Sequence, residues 1–237
     1  MIQTRITKSV AWLQIDRPKQ KNALSISLLE EILKKLTKYD ADENIKVIII
    51  HGNDNFSSGG DFNDMLVDNS TEAKQLAEKV QGIYFDISQI KKPLIAYTKG
   101  LVWGGGFELA LVCDIIVSHS NSSFSFPEAA LGIVPGGGGT QRLKNKIGKQ
   151  NAAYILFSGE SFSAERMLSL NLIQEITDDL RRVESIADTI AEKDTDAIKE
   201  LKYLLKKDLD FKAESNSFSK LLINNGLNKI KSFLKKY

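Results

Sequence analysis

The sequence is poor in the features that mark secreted, membrane-spanning or low-complexity proteins. Its 237 residues include one cysteine, Cys113, and only four prolines, so no disulfide can form within the chain and no proline-rich linker divides it. It has no apolar run near the roughly 18 residues of a membrane helix and no secretory signal after Met1. We therefore expect a globular protein of the cytoplasm with one sizeable core.

The sequence also lacks a strong net charge. Its 32 basic and 30 acidic residues leave a formal charge of +2. Lysines cluster only near the end of the chain, at Lys229, Lys231, Lys235 and Lys236, where a solvated helix face is the ordinary interpretation. No basic stripe interleaved with aromatic residues is present, so nucleic acid is not an expected partner.

A repeated order of helix and buried strand runs through the first half of the chain. A capping box at Ser27–Glu30, followed by apolar residues at helical spacing, predicts a helix to about Tyr39, and the β-branched run 45–50 predicts a strand covered on both faces. This order is typical of an α/β layered domain with right-handed crossovers. Two further helix–strand pairs are predicted, at 71–90 with 93–97 and at 105–112 with 114–118.

The two ends of the chain differ from this alternation. Alternating apolar residues over 2–12 predict a hairpin. After Gly139 the sequence becomes mainly helical, and we divide it into a core at 1–185 and a C-terminal helical region at 186–237 that contacts other subunits. Helical periods lie near 150–157, 164–170, 180–191, 195–207 and 215–236, with one short apolar segment at 172–176.

Two segments rich in small residues follow predicted strands, at Ser57–Phe62 and Gly104–Gly106. Loops at the carboxyl ends of parallel strands converge, and ligands usually bind there. One backbone N–H from each segment can then face the same carbonyl oxygen. In thioester chemistry such a donor stabilises the charge of a developing enolate by about 3 kcal/mol.

Two glutamates accompany these glycines. Glu108 lies in the first turn of the predicted helix, where the helix dipole favours the carboxylate and apolar neighbours favour the acid. Glu128 follows a Phe-Pro pair and begins a short helix or turn beyond a strand. One carboxylate can take a proton from water while the other delivers a proton to carbon, and Gly136 offers an N–H to that water.

Other glycine-rich and metal sites are not predicted. No Gly-Lys-Ser/Thr follows Gly136–Gly139, which excludes a P-loop, and Gly104–Gly106 lacks the third glycine of a dinucleotide fingerprint. His51 and His119 have no cysteine or histidine partners at metal-ligand spacing. Packing or capping roles are therefore expected for the histidines.

Five blocks of sequence, in order, resemble the enoyl-CoA hydratase/isomerase, or crotonase, superfamily, and the resemblance covers nearly the whole chain. It implies an α/β fold, a crotonase-like spiral of ββα turns with a C-terminal helical region, that assembles as homotrimers or dimers of trimers. Coenzyme A is then part of the substrate, and no cofactor is expected. The blocks are Arg17–Leu24, Phe56–Phe62, Lys92–Gly100, Gly104–Asp114 and Phe126–Leu143.

The same resemblance implies roles for individual residues. It assigns the oxyanion hole to the N–H groups of Gly60 and Gly105, the catalytic carboxylates to Glu108 and Glu128, and the positioning of water to Gly136. The residues expected along the thioester and pantetheine path are Asn22, Ala23, Leu24, Ser58, Gly60, Asp61, Phe62, Trp103 and Gly105.

Two places depart from the usual pattern of the superfamily. Tyr97, Thr98 and Lys99 stand where smaller residues are common, and Trp103 precedes the oxyanion glycines. The Trp103 indole either redirects the acyl pocket or packs in the core.

The presence of both glutamates favours a hydratase that adds water across the double bond of a 2-enoyl-CoA thioester. An isomerase needs one shuttling carboxylate, and a decarboxylase or thioesterase works mainly from the oxyanion hole, so these reactions are alternatives within the superfamily. A non-catalytic RNA-binding or scaffold relative is the alternative outside enzymes. The expected partner is an acyl-CoA thioester, without a membrane or a metal.

Overall fold

The computed structural model describes residues 1–235. The strands are β1 (Ile2–Thr7), β2 (Val10–Ile15), β3 (Val47–His51), β4 (Leu94–Thr98), β5 (Leu101–Trp103), β6 (Ile115–Ser118), β7 (Ser123–Ser125), β8 (Phe162–Ser163) and β9 (Glu175–Ile176). The helices are α1 (Ile26–Ala41), α2 (Ser70–Gln89), α3 (Gly105–Val112), α4 (Gly139–Ile147), α5 (Lys149–Ser158), α6 (Ala164–Ser169), α7 (Leu180–Ala191), α8 (Thr195–Leu204), α9 (Phe211–Leu221) and α10 (Leu227–Leu234).

Six strands form one large sheet in the order β1-β2-β3-β4-β6-β9. The hairpin β1–β2 is antiparallel, and the remaining neighbours pair in parallel. Val47 to Ile50 are fully buried, because α1, α2 and α3 cover one face of the sheet and α7 covers the other. A strand buried on both faces has a continuous apolar sequence, and the prediction of such a strand from the β-branched run 45–50 is confirmed.

A second, smaller layer is built from β5, β7 and β8. Isolated bridges extend it, pairing Leu24 with Gly60 and Ser57 with Val102. Each turn of the chain therefore adds a strand to the large sheet, a short segment to the small layer and then a helix. This is the spiral of ββα turns that the resemblance implied. Periodicity alone did not reveal the small layer, because three-residue strands are too short to establish an alternation.

Several predicted element ends shift in the structure. Ser25, not Ser27, caps α1, and its Oγ accepts a hydrogen bond from the Leu28 N–H at 3.3 Å. The predicted capping box at Ser27 is wrong because that residue already lies inside the first helical turn. Helix α4 was not predicted, since its sequence begins in a run of glycines.

The predicted helix over 215–236 is divided in the structure. Helices α9 and α10 are joined by a π-helical turn at Leu222–Gly226, and the predicted end at Lys236 lies outside the described residues. Within residues 1–235, no helix combines the length and apolar character needed to cross a membrane.

The C-terminal helices are attached to the core through α7 and α8. Val183 and Ala187 of α7 are fully buried against the outer face of the sheet. The boundary predicted between residues 185 and 186 falls within this continuous helix, so the chain has no break there. On α8, Lys202 Nζ lies 2.6 Å from Asp114 Oδ2 and donates to the Lys92 carbonyl oxygen at 2.9 Å.

Candidate active site

A cavity of about 380 Å³ opens where the loops after β3 and β5 meet α2. Its walls include the segments 58–62, 104–105, 127–128 and 136–137, which are separate in sequence. One face of α2 completes the wall with apolar side chains. The ββα spiral therefore brings together the glycine segments and the glutamates that the sequence singled out.

The amides of Gly60 and Gly105 lie side by side at this cavity. A Cβ placed on Gly105 would lie 3.3 Å from the Gly60 nitrogen, and one on Gly59 would lie 3.7 Å from the Gly105 nitrogen. Within the described chain, neither the Gly60 nor the Gly105 N–H has a hydrogen-bond acceptor. Two amides without acceptors therefore border the same cavity.

Specific contacts hold the two donor segments in place. Gly59 adopts a φ of +111°, a conformation that L side chains rarely adopt, and its N–H donates to Ser57 Oγ at 3.1 Å. The Leu24 N–H donates to the Gly59 carbonyl oxygen at 2.8 Å, and the Gly104 N–H donates to the Ser125 carbonyl oxygen at 2.9 Å. The small layer of the spiral therefore positions both donor amides.

Glu108 is almost completely buried, with 3% of its surface exposed. Its Oε1 accepts hydrogen bonds from the N–H groups of Gly137 at 2.8 Å and Gly139 at 2.7 Å. Burial raises the pKa of Glu108, while these two bonds and the charge of Arg142 oppose that rise. The start of α4 consequently stabilises the ionised form of this carboxyl group.

Glu128 lies on a short 3₁₀ helix, Pro127–Leu131, as the Phe-Pro pair suggested. Its Oε2 is buried and has no hydrogen-bond partner among the described residues. Burial, and to a smaller extent the charge of Glu108, raises the pKa of Glu128 to about 7. Its Oε1 would lie 2.8 Å from a Cβ on Gly104, so only glycine fits beside this carboxyl group.

Sequence reasoning missed two residues of this site. The Tyr84 hydroxyl donates to the Gly105 carbonyl oxygen at 2.7 Å, and its ring would lie 2.3 Å from a Cβ on Gly137. Arg142 lies one turn into α4 with its Nε buried and without an acceptor in the described chain. Tyr84 carries no motif beyond its place on the buried face of α2, whereas Arg142 stands in a recognised block but was given no role.

The residues predicted along the substrate path divide into two groups. Leu24, Ser58, Asp61 and Phe62 line the cavity, as do Gly60, Gly105 and Gly136. Asn22, Ala23 and Trp103 do not line it.

The three residues outside the cavity have other contacts. Asn22 Oδ1 accepts from the Arg17 N–H at 2.7 Å, and its Nδ2 donates to the Asn55 carbonyl oxygen at 2.6 Å. The Ala23 carbonyl oxygen accepts from Arg17 Nη1. Trp103 Nε1 donates to Ser123 Oγ of β7 at 3.4 Å, and the indole does not line the cavity.

Across residues 1–235 there is no group of three or more histidine, cysteine, aspartate or glutamate side chains arranged to hold a metal ion.

Spiral topology, paired amides without acceptors and two buried carboxylates around one cavity together define a crotonase-like class of α/β protein. The chain belongs to the enoyl-CoA hydratase/isomerase family, whose sequence profile matches residues 5–230.

Individual relatives agree with this assignment. The chain is 37% identical over 168 residues to the 2,3-dehydroadipyl-CoA hydratase of Escherichia coli (strain K12), a match that covers 70% of this chain and 65%, just under two thirds, of that protein. It is 33% identical to a probable enoyl-CoA hydratase of Bacillus subtilis (strain 168), covering 86% and 81%. The solved structure of an enoyl-CoA hydratase subunit I from Geobacillus kaustophilus HTA426 superposes with a TM-score of 0.94 at 31% identity, covering 99% of this chain and 95% of that one.

Proposed function

We propose that this chain is an enoyl-CoA hydratase that adds water across the double bond of a 2-enoyl-CoA thioester. The observation that carries the proposal is the meeting of two unpaired amides, from Gly60 and Gly105, with two buried carboxyl groups in different surroundings. Relatives named as enoyl-CoA hydratases support the same reaction.

The geometry supports a division of labour between the glutamates. Glu108 accepts two backbone N–H bonds on one oxygen, which favours its carboxylate, so it serves as the base that takes a proton from water. Glu128 has an unpartnered buried oxygen and a pKa of about 7, so it serves as the acid. Gly136 lines the cavity beside Glu108 and offers its N–H to the water.

In the proposed reaction, the water oxygen bonds to C3 of the enoyl group as Glu108 removes its proton. The electron pair of the double bond moves toward the thioester oxygen, where the Gly60 and Gly105 N–H groups stabilise the enolate. The enolate then re-forms the carbonyl group as C2 takes the proton of Glu128. One water is consumed, and the two glutamates exchange protonation states before the next turnover.

The cavity wall supports a neutral, aliphatic acyl chain. Beyond the glutamates, the wall is formed by apolar side chains of α2 and of the segment 131–134. In the part of the chain that the structure describes, no lysine, arginine or histidine lines this cavity, while Asp61 and Asp64 do. A carboxylate at the end of an acyl chain would be buried there without a partner.

Loss of the conjugated-thioester absorbance of crotonyl-CoA tests the proposed reaction. We expect turnover by the unaltered protein and a fall of at least ~10²-fold in Glu108→Gln and Glu128→Gln, with acyl-CoA affinity retained. Isomerisation of a 3-enoyl-CoA without hydration of crotonyl-CoA would instead establish the isomerase. Binding of acyl-CoA with no reaction would establish a non-catalytic relative.

We also propose that the C-terminal helices join copies of the chain into trimers. Large apolar side chains are exposed on α9 and just before it, including Leu205, Leu209, Phe211 and Phe218. Surfaces of this kind usually mark interfaces. Light scattering tests the trimer, and a monomer at assay concentration would contradict it.

The cytoplasmic location stays a prediction from the sequence.

A further inference from the structure

A second cavity, of about 420 Å³, lies at the carboxyl edge of the large sheet. It shares no lining residue with the candidate active site. His51 ends β3 and lies opposite Tyr97 of β4 in the sheet register, and His119 follows β6 directly. Ligands of parallel α/β sheets commonly bind at this edge, so the position of the cavity suits a binding site.

The residues around this cavity are unusual for the chain. The sequence contains only two histidines, and both line it. Tyr97 and Lys99, which depart from the superfamily pattern, line it as well. The proposed hydratase reaction uses none of these side chains, so their convergence calls for a separate explanation.

Positive charge dominates this cavity. Arg5 and Lys99 line it, and neither forms an ion pair within residues 1–235. The Arg5 guanidinium lies 4.1 Å from the centre of the Trp12 ring, which holds it at the cavity wall.

The acid that lines the cavity is already engaged. Asp178 accepts two hydrogen bonds from Ser120 at 2.8 Å and lies 3.2 Å from His119 Nδ1. The bonds from Ser120 and, to a smaller extent, the charge of Lys99 lower the pKa of Asp178, but Lys99 forms no ion pair with it, and Arg5 forms no ion pair within residues 1–235.

Two further groups can serve an incoming anion. The Trp12 indole N–H is buried and has no acceptor among the described residues. His51 Nδ1 lies 2.9 Å from the Gly52 carbonyl oxygen, which can only accept, so Nδ1 carries the proton; Nε2 is an acceptor in the neutral ring and donates to an anion only when the ring is protonated. Burial lowers the pKa of His51, and the charge of Arg5 lowers it further.

We propose that this cavity, here called the basic cavity, binds a small molecule through an oxyanion group held between Arg5 and Lys99. Both a phosphate and a carboxylate present the acceptor oxygens that these cations bind. The proposal is independent of the hydratase reaction, because no residue of the basic cavity lines the active-site cavity.

An anion in the basic cavity has a defined consequence for His51. The other titratable and charged groups that line the basic cavity with His51 are Arg5, Tyr97, Lys99, His119 and Asp178. Burial and the charge of Arg5 lower the pKa of His51. A bound negative charge offsets the field of Arg5 and favours the imidazolium form. Binding is therefore coupled to a rise in the pKa of His51.

Proton NMR can measure this binding directly, because a chain with two histidines gives two ring C2–H signals. The unaltered protein is titrated with inorganic phosphate, and in a second arm with benzoate, against chloride at matched ionic strength. The His51 signal is assigned by its loss in His51→Gln. We expect a saturable shift of that signal with at least one of the two anions and none with chloride, and the responding anion identifies the oxyanion group.

Single variants test the residues. Arg5→Gln and Lys99→Gln should each raise the dissociation constant of the anion about ten-fold, because each removes one charge-assisted hydrogen bond. Lys144→Gln, an equal loss of charge on the exposed part of α4, should leave it unchanged. Both cavity variants alter side chains that are not fully buried, and thermal melting confirms that they fold.

Some outcomes would overturn the proposal. A shift that grows linearly with any salt, or one that persists equally in Arg5→Gln and Lys99→Gln, would mean that no site exists. Because the measurement needs no turnover, a failed crotonyl-CoA assay would leave this result unaffected.

Discussion

Glu108 and Glu128 are chemically identical side chains in different surroundings. Both are buried, which raises the pKa of each. Two backbone N–H groups offset the burial of Glu108, whereas Glu128 Oε2 has no such donor in the described chain. Hydrogen bonds to Glu108, together with the charges of Arg142 and Glu108, therefore give the two carboxyl groups different environments, as the proposed roles of base and acid require.

This difference predicts a bell-shaped pH profile for hydration. The active form carries one proton on the pair, so kcat/KM should fall as the pH rises through about 7, where Glu128 ionises, and also at acidic pH, where Glu108 becomes protonated. Crotonyl-CoA kinetics between about pH 5 and pH 9 provide the measurement. A profile that stays flat through neutral pH would contradict the role of Glu128 as the acid.

At the scale of elements, neighbouring glycines before α4 have different environments. A Cβ on Gly137 would lie 2.3 Å from the Tyr84 ring and 2.8 Å from Glu108 Oε2, while one on Gly136 would meet no atom within 4 Å. The Gly137 position is therefore closed by the packing of α2 against the α4 start.

Alanine substitutions at the two glycines should separate these environments. Gly137→Ala should displace Glu108 or Tyr84, costing about 1–3 kcal/mol of unfolding free energy and most of the activity. Gly136→Ala adds a Cβ that meets no atom within 4 Å, so it should leave the free energy of unfolding near that of the unaltered protein and serves as the matched control for stability. Denaturant unfolding and the crotonyl-CoA assay measure both, and equal behaviour of the two variants would refute the packing argument.

Helix α2 lines the cavity in which we propose that the acyl chain lies. Tyr84 contacts Gly105, and Val80 lines the cavity one turn earlier, about 6 Å along the helix axis. We expect a six-carbon acyl chain that starts at the proposed oxyanion donors to reach this turn. Because no lysine, arginine or histidine of the described residues lines the cavity, while Asp61 and Asp64 do, hexanoyl-CoA should bind more tightly than adipoyl-CoA, which differs by a terminal carboxylate.

Introducing a positive charge at this turn should shift the binding preference from hexanoyl-CoA toward adipoyl-CoA. Val80→Lys places an ammonium group near the end of the chain and should improve adipoyl-CoA binding over hexanoyl-CoA about ten-fold relative to the unaltered protein. Val80→Met supplies a long neutral side chain as the control. Calorimetry with these saturated thioesters needs no catalysis, and a preference of the unaltered protein for adipoyl-CoA would show that the acyl pocket is not neutral.

At the scale of the whole molecule, a buried lysine joins the C-terminal helices to the spiral. Lys202 of α8 contacts Asp114 and the Lys92 carbonyl oxygen, and only 8% of its surface is exposed. Lys202→Met leaves the Lys92 carbonyl oxygen and the exposed Asp114 without this partner and should lower the free energy of unfolding by about 1–3 kcal/mol. Urea unfolding measures the change.

A surface pair on the same helices provides the comparison. Lys220 pairs with Glu200 at 2.7 Å but is largely exposed, so Lys220→Met should cost less than about 1 kcal/mol. An equally small effect for Lys202→Met would show that α8 does not depend on its buried contact.

Local patterns in the sequence were sufficient for the alternation of helices and strands and for the short helix that begins beside Glu128. They also located the two glycine segments and both glutamates. These features depend on apolar periodicity and turn chemistry, which act over a few residues, so they can be predicted from the sequence alone. They did not reveal α4 or the small second layer, whose short or glycine-rich segments carry no clear period.

Only the tertiary structure decided how distant residues meet. Glu108 accepts hydrogen bonds from Gly137 and Gly139, about thirty positions further along the chain, and Tyr84 donates to the Gly105 carbonyl oxygen while its ring packs beside Gly137. The order of strands in the sheet likewise brought His51 and His119 to one cavity and turned Trp103 away from the other. Such contacts arise from packing between separate turns of the spiral, and no short stretch of sequence encodes them.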